Sequence, residues 1–412
     1  MQKTVLLIAT FDTKEDEALF LKKRIEARGI RVLTMDTGIL APPRGKVDLT
    51  QIQVAERGGI PLKVAVAAGD KGKCILNMIL GAQSLTKELY DHGDFQAVIS
   101  IGGAQGTEIA TAAMRTLPTG VPRLAVSTVA SGRAMFGPFV GTRDITMMHS
   151  VADMQGLNFL TRRILENAAG AICGMVTSLD EDVAKPEGIP VALSMLGTTT
   201  PGALRCKGIL ERKGFEVVTF HQNGTGGIAM EDMIREGAFR GVLDLNLHEI
   251  GDRYVGGLHG SIREDRLEAA GELGIPQVIA PGSINYVVLG PLGGLSPEWK
   301  SRKLMVHNPS LTLVRLTPDE LHRVGKIVAE KLNRAKGPTR VFIPLRGFSY
   351  PDRENLPHWE PDGNHAFIDS LKKYLKRSIP IIELDAHIND PEFIDPVTDA
   401  FLSMMMDDNR TP

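Results

Sequence analysis

Gln96-Ala97-Val98-Ile99-Ser100-Ile101-Gly102-Gly103-Ala104-Gln105-Gly106-Thr107 is an apolar run that breaks into glycines. It reads as a buried strand entering a tight turn, and Glu108–Leu117 reads as the helix that follows. The same unit recurs on both sides. Thr4–Ala9 is a strand that ends at Thr10-Phe11-Asp12-Thr13-Lys14, and residues 14–28 form an amphipathic helix. Arg31–Met35 is a strand closed by Asp36-Thr37-Gly38. Lys73–Tyr90 is a long helical stretch, and Arg123–Val126 is a strand ending in Ser127-Thr128-Val129-Ala130-Ser131-Gly132. Strand and helix alternating through short glycine turns predict an α/β fold with a doubly wound parallel sheet.

Residues 178–189 are polar and carry Pro and Gly, a plausible hinge, and the pattern then restarts. Strands are expected at Pro190–Leu196, Phe215–Phe220, Gly241–Leu245, Gln277–Ala280, Lys303–Val306, Arg340–Leu345 and Pro380–Leu384. Helices are expected to about Arg212 and over 317–334, 364–377 and 391–405. The expectation is two Rossmann-like lobes, residues 1–183 and 184–412, with mostly parallel sheets and a cleft between them where ligands of such folds bind.

Composition narrows the classes. Among 412 residues, 43% are hydrophobic and 23% charged, with a formal net charge of −2, which argues against a strongly basic nucleic-acid surface. Three widely spaced cysteines, Cys74, Cys173 and Cys206, give neither a disulfide framework nor a zinc motif. No stretch is long and apolar enough to span a membrane, and Val5–Ala9 is too short for a signal segment. A cytoplasmic protein is expected.

The turns at strand ends carry the chemistry. Gly102, Gly103 and Gly106 let the main chain approach a ligand, and free amides at a helix start favour phosphate. Thr107 adds a hydroxyl. The alternative is a tight turn that needs positive φ. Asp12, Thr13 and Lys14 sit at the ligand edge of the sheet, although Asp12 or Thr13 could cap a helix with Glu17 as partner. Ser127, Thr128, Ser131 and Gly132 suit an oxyanion or a plain turn. Asp36 falls where ribose-binding acids fall. Asp144 or Asp153 could hold Mg2+ through a phosphate. In the second half, Asn223–Gly227 is another anion cradle, and Asp244, Glu249 and His307 are the candidate catalytic groups. No histidine spacing predicts a protein-built metal site.

Taken together, these turns resemble the family of the tomato mosaic virus resistance protein and its bacterial relatives. Pro281-Gly282-Ser283, His307-Asn308-Pro309, Pro344-Leu345-Arg346-Gly347 and Ile388-Asn389-Asp390-Pro391 extend the resemblance to about residue 405. It implies two α/β subdomains, ATP bound to the first, and a homodimer. The plant member uses this region to inhibit viral RNA replication. Asn246-Leu247-His248 departs from the run of threonines expected there, which leaves Asp244 and Glu249 as the better catalytic candidates. The expected activity is ATP-dependent chemistry on a small anionic metabolite. The rivals are a nucleotide-free isomerase or hydrolase and a nucleotide-dependent inhibitory binding protein.

Overall fold

A computed structural model describes residues 2–130, 139–179 and 186–407. The chain divides into two compact units, Met1–Ala184 and Lys185–Pro412. Ser131, Gly132 and part of the expected hinge lie outside the described residues.

The first unit runs β1 (Thr4–Ala9), α1 (Phe11–Glu26), β2 (Arg31–Asp36), α2 (Gln51–Arg57), α3 (Leu62–Ala67), α4 (Lys71–Asp91), β3 (Ala97–Gly102), α5 (Ala104–Met114), β4 (Arg123–Ser127), β5 (Thr146–His149) and α6 (Phe159–Ser178). Its sheet has the order β2-β1-β3-β4-β5, with every pairing parallel. Both faces are covered, as a parallel sheet requires. Val5, Leu7, Ile99 and Leu124 pack against α1 and α6, while Leu6, Ile8, Val98 and Ala125 pack against α2 to α5. The edge strand β5 lies just after Asp144, at a place where the sequence predicts no strand. Its side chains are only half-buried, so no apolar run marks it.

The second unit runs β6 (Ile189–Met195), α7 (Thr200–Glu211), β7 (Phe215–His221), α8 (Thr225–Arg235), β8 (Gly241–Asn246), α9 (His248–Val255), α10 (Ala269–Leu273), β9 (Gln277–Gly282), β10 (Tyr286–Leu289), α11 (Pro297–Lys300), β11 (Leu304–Asn308), β12 (Leu311–Arg315), α12 (Pro318–Leu332), β13 (Thr339–Pro344), α13 (Pro361–Tyr374), β14 (Ile381–Leu384) and α14 (Pro391–Asp407). Six strands form a parallel sheet in the order β14-β13-β9-β8-β6-β7. The Lys303–Val306 strand belongs elsewhere, as β11 of a small antiparallel sheet, β10-β12-β11.

A buried ion cluster ties this second lobe together. The Arg266 guanidinium donates to Asp244 Oδ2 at 2.5 Å and Oδ1 at 2.8 Å, to Glu249 Oε2 at 3.1 Å and to Gln222 Oε1 at 2.8 Å. Glu231 pairs with the same guanidinium at 3.4 Å and accepts the amides of Leu267 and Ala269. Burial pushes the Glu231 and Glu249 carboxyls up, against the pull of Arg266. Removing the cation would strand three buried carboxylates. Arg266→Met is therefore expected to cost about 3–5 kcal/mol, read as a lowered urea midpoint. An unchanged midpoint would show that the cluster holds nothing.

Candidate functional site

β1 and β3 are neighbours, yet the chain leaves them in opposite directions, towards β2 and towards β4. That makes their carboxyl ends the topological switch point, where ligands of open α/β sheets bind. The structure places a cavity of about 200 Å³ there. Thr10, Asp12, Thr13 and Lys14 line one side and Gly103–Gly106 the other, so two of the turns singled out in the sequence meet. Lys71, at the start of α4, lines it as well. No local signal marked Lys71, which is contributed from a distant part of the chain.

The decisive feature is the start of α5. A helix begins with unpaired N–H groups that need acceptors. Thr50, Asp70 and Asn158 cap α2, α4 and α6 with their side chains. Gly103 offers α5 no side-chain cap. Its first intrahelical bond runs from Thr107 N to Gly103 O at 2.9 Å. No acceptor among the described residues takes the amides of Ala104, Gln105 or Gly106.

The glycines of this loop differ in what requires them. A Cβ on Gly102 would lie 2.9 Å from the Gly106 backbone, so the fold itself demands glycine there. On Gly103 the nearest atom would be Thr128 Oγ1 at 3.8 Å, and on Gly106 it would be Ile101 O at 3.6 Å, both ordinary contacts. None of the three has positive φ, so the strained-turn explanation fails. The chain's own packing requires neither Gly103 nor Gly106; Gly103 has the N-cap position to explain it, and Gly106 is left unexplained.

Several expected ligand groups serve the fold instead. Thr107 and Ser127 are buried and bond each other at 2.7 Å, and Ser127 Oγ also accepts the Val129 amide. The Lys14 ammonium is turned to the Met154 carbonyl. Glu17 builds no capping box but takes the Gly156 amide at 2.6 Å. Asp36 is 0% exposed, and its Oδ1 accepts the Phe11 and Gly38 amides at 3.0 and 2.8 Å, so it cannot serve as a ribose acid. Burial pushes its carboxyl up to about 6, with Asp12 and Glu15 adding to the shift and the two amides opposing it. Asp144 is ion-paired to Arg123 and accepts the Gly120 amide at 3.1 Å. Arg123 begins β4, so Asp144 lies at the amino edge of the sheet, opposite the glycine loop. A Mg2+ ion on the loop's phosphate is out of its reach. Asp12 remains at the cavity. Its Oδ2 holds the Ile39 and Leu40 amides at 2.8 and 2.9 Å, while its Oδ1 has no partner.

The second lobe answers its own anion cradle. Glu249 Oε1 accepts the Gly224 and Gly227 amides at 2.7 and 3.1 Å at the start of α8, so Asn223–Gly227 already holds a carboxylate. Asp244 and Glu249 are buried on Arg266 and present no surface to a substrate. His307 lies exposed on β11 and shares no hydrogen bond or ion pair with either. The sequence reading of these three as a catalytic group is not what the structure assembles. Next to them is a buried network that was not anticipated. His248 Nδ1 donates to the Ser283 carbonyl at 3.1 Å, which leaves its Nε2 to accept from His259 Nδ1 at 3.2 Å in the neutral pair. Burial pushes both imidazoles down to about 4.

Two family models match the chain, both described as an uncharacterised protein family, UPF0261: its N-terminal domain over residues 3–181 and its C-terminal domain over residues 189–405. A UPF0261 protein of Clostridium tetani is 39% identical over 98% of this chain and 100% of its own length. The ToMV resistance protein Tm-1(GCR237) of Solanum lycopersicum is 31% identical over 97% of this chain, which spans 55% of that longer protein. Among solved structures, UDP-N-acetylglucosamine 2-epimerase from Rickettsia bellii aligns over 99% of this chain and 97% of its own at 10% identity and a TM-score of 0.23.

Asp36 gives a pH test. Its folded carboxyl titrates at about 6 against an ordinary 3.8, so the folded state binds the proton more tightly. Its contribution to stability is full below pH 4 and is lost as pH rises through 6. Asp36→Asn keeps an acceptor for both amides and carries no charge. Its stability relative to the parent chain should rise by roughly 1–3 kcal/mol between pH 4 and 7, measured as the difference in urea midpoints. A constant difference across that range would count against a buried, proton-retaining carboxyl.

Proposed function

We propose that this chain, which belongs to the UPF0261 family, binds ATP through its phosphates at the start of α5 and uses it on a small anionic metabolite. The observation that carries this reading is a helix N-terminus without a side-chain cap, bordered by two glycines that packing does not require. A phosphate oxygen would take the amides of Ala104, Gln105 and Gly106 with the helix dipole behind them. Lys71 supplies a cation at the rim. The Asp12 oxygen without a partner is buried beside Gly38, so Asp12 would reach a Mg2+ ion carried on the phosphates only by turning its carboxylate into the cavity. Leu40 lines the same cavity and is 77% exposed, which offers apolar surface for a nucleobase.

One measurement favours a second reading. The cavity is smaller than the roughly 300–1,000 Å³ of most small-molecule sites, which would suit a nucleotide-free isomerase or hydrolase gripping a small phosphate ester. Leu40→Glu separates the two. It should weaken ATP while leaving inorganic phosphate untouched if the nucleobase lies on Leu40, and should weaken neither if the nucleotide is not the ligand. Phosphate release on adding candidate acids separates an enzyme from a nucleotide-dependent binding protein. Three free, buried cysteines fit a reducing compartment, and the cytoplasm is the location we assign. We also propose a homodimer, and a solution mass of 44.7 kDa by light scattering would overturn it.

The loop itself is the sharpest test. Both added methyl groups in Gly103→Ala/Gly106→Ala have room, and the gain of about 1 kcal/mol that alanine brings to the helix at position 106 offsets the poorer N-cap it makes at position 103. Each charge-assisted hydrogen bond lost to phosphate costs about 1.5–3 kcal/mol. The double variant should therefore melt no lower than the parent chain and bind ATP at least about tenfold more weakly by titration calorimetry. Unchanged affinity in a folded variant would show that the loop is only a turn.

A further inference from the structure

The second lobe has a cavity of about 490 Å³ at the amino-terminal edge of its sheet, where β13 and β14 begin. Its walls come from residues 335–340, residues 376–380 with position 377 left out, and α14. Three cations line it, Lys336, Arg340 and Lys376, and no carboxylate does among the described residues. The Lys376 ammonium donates to the Asn333 and Ala335 carbonyls, both at 3.1 Å, which fixes its position and leaves one proton to give. Arg340 and Lys336 make no side-chain hydrogen bond or ion pair among the described residues. Arg235, Arg263, Arg302 and Arg353 of the same lobe each hold a carboxylate, while Arg212, Arg240, Arg323 and Arg377 are as unpaired as Arg340 among the described residues, so it is the grouping of three cations around one concavity that sets this place apart. Arg340 stands on β13 between the buried Thr339 and Val341, so its base is rigid.

We propose that this cavity binds a small organic polyanion, a phosphate ester or polycarboxylate, with the Arg340 guanidinium as its anchor. Charges of one sign around a concavity add their fields and raise the local anion concentration. The planar guanidinium matches two anionic oxygens at once, and the two ammonium groups neutralise a second anionic group. Pro338, Ile379 and Met404 give the carbon skeleton an apolar wall. The volume falls within the roughly 300–1,000 Å³ range of metabolite sites. This site is independent of the glycine loop of the first lobe and of its ligand.

Citrate and fructose 1,6-bisphosphate are the probes, titrated into the full chain at low and at high salt. At least one should bind, more weakly as salt rises. Lys336→Gln/Arg340→Gln should lower that affinity by about tenfold or more, while Gly103→Ala/Gly106→Ala should leave it unchanged. The two cations have no partners to lose, so the variant should fold, and Lys336→Gln alone is a milder second variant. No heat from either probe at millimolar concentration would overturn the proposal. Equal binding by parent and Lys336→Gln/Arg340→Gln would do the same, as would loss of binding in the glycine variant. The probe that binds identifies the chemistry, phosphate ester or polycarboxylate.

Discussion

Helix N-termini impose the constraint on which both lobes are built. In a parallel sheet each helix that follows a strand turns its first, unpaired amides towards the carboxyl edge, and those amides need acceptors. In the second lobe Glu249 meets that need at α8, and its other oxygen binds Arg266. Arg266 in turn holds Asp244 at the end of β8 and Glu231 on α8. One internal anion thus closes the edge and fixes three elements. In the first lobe most starts are closed locally by Thr50, Asp70 and Asn158, and Phe11 at the start of α1 gives its amide to Asp36. Among the described residues, α5 meets the switch point with three amides unanswered, those of Ala104, Gln105 and Gly106.

The negative charge already present there shapes what can enter. Asp12 and Asp36 flank the first turn of α1, and two ionised carboxylates beside a phosphate would oppose it. Burial pushes the Asp36 carboxyl up to about 6, which relieves that conflict in mildly acid solution but leaves the group mostly ionised at about pH 7. Asp12 has one oxygen held by two loop amides, and its other oxygen is buried with no hydrogen-bond partner among the described residues. An anion bound at α5 would therefore be best accommodated with a cation beside it, from Lys71 or from a metal the ligand brings.

The sheets were legible because buried parallel strands are short apolar runs ended by glycine. Ala97–Gly102 satisfies that pattern in full, while Thr4–Ala9 and Gly241–Asn246 are short buried runs that end in polar turns or a helix start instead. The half-buried edge strand β5 lacks it, whereas β10 carries it in Tyr286–Leu289 before Gly290, and β11 and β12 form a local hairpin across Asn308 and Leu311. Helix α6 did carry a signal that went unread, a capping box at Asn158 and Thr161 before apolar positions at helical spacing. In the site, Thr10–Lys14 and Gly102–Gly106 could be placed because they ride on strand ends. Lys71 and Leu40 could not, since only the fold brings them there. Asp144 was misassigned because no local feature tells at which edge of the sheet a loop returns.

The two glycine-rich turns, Gly102–Thr107 and Asn223–Gly227, look equally suited to an anion in sequence. The difference between them lies outside both. Gly227 would place a Cβ 1.7 Å from Glu249 Oε2, so its missing side chain is accounted for by a carboxylate of the same chain. Gly103 and Gly106 meet nothing closer than ordinary contact, so packing requires neither, and Gly106 has no local role beside the N-cap role of Gly103. Gly103 is the N-cap, where glycine is preferred over alanine, but at Gly106, inside the first turn and without positive φ, alanine would be more stable and glycine carries a free-energy cost that folding does not repay. An atom that belongs to a ligand is the simplest occupant of the space those two positions leave open.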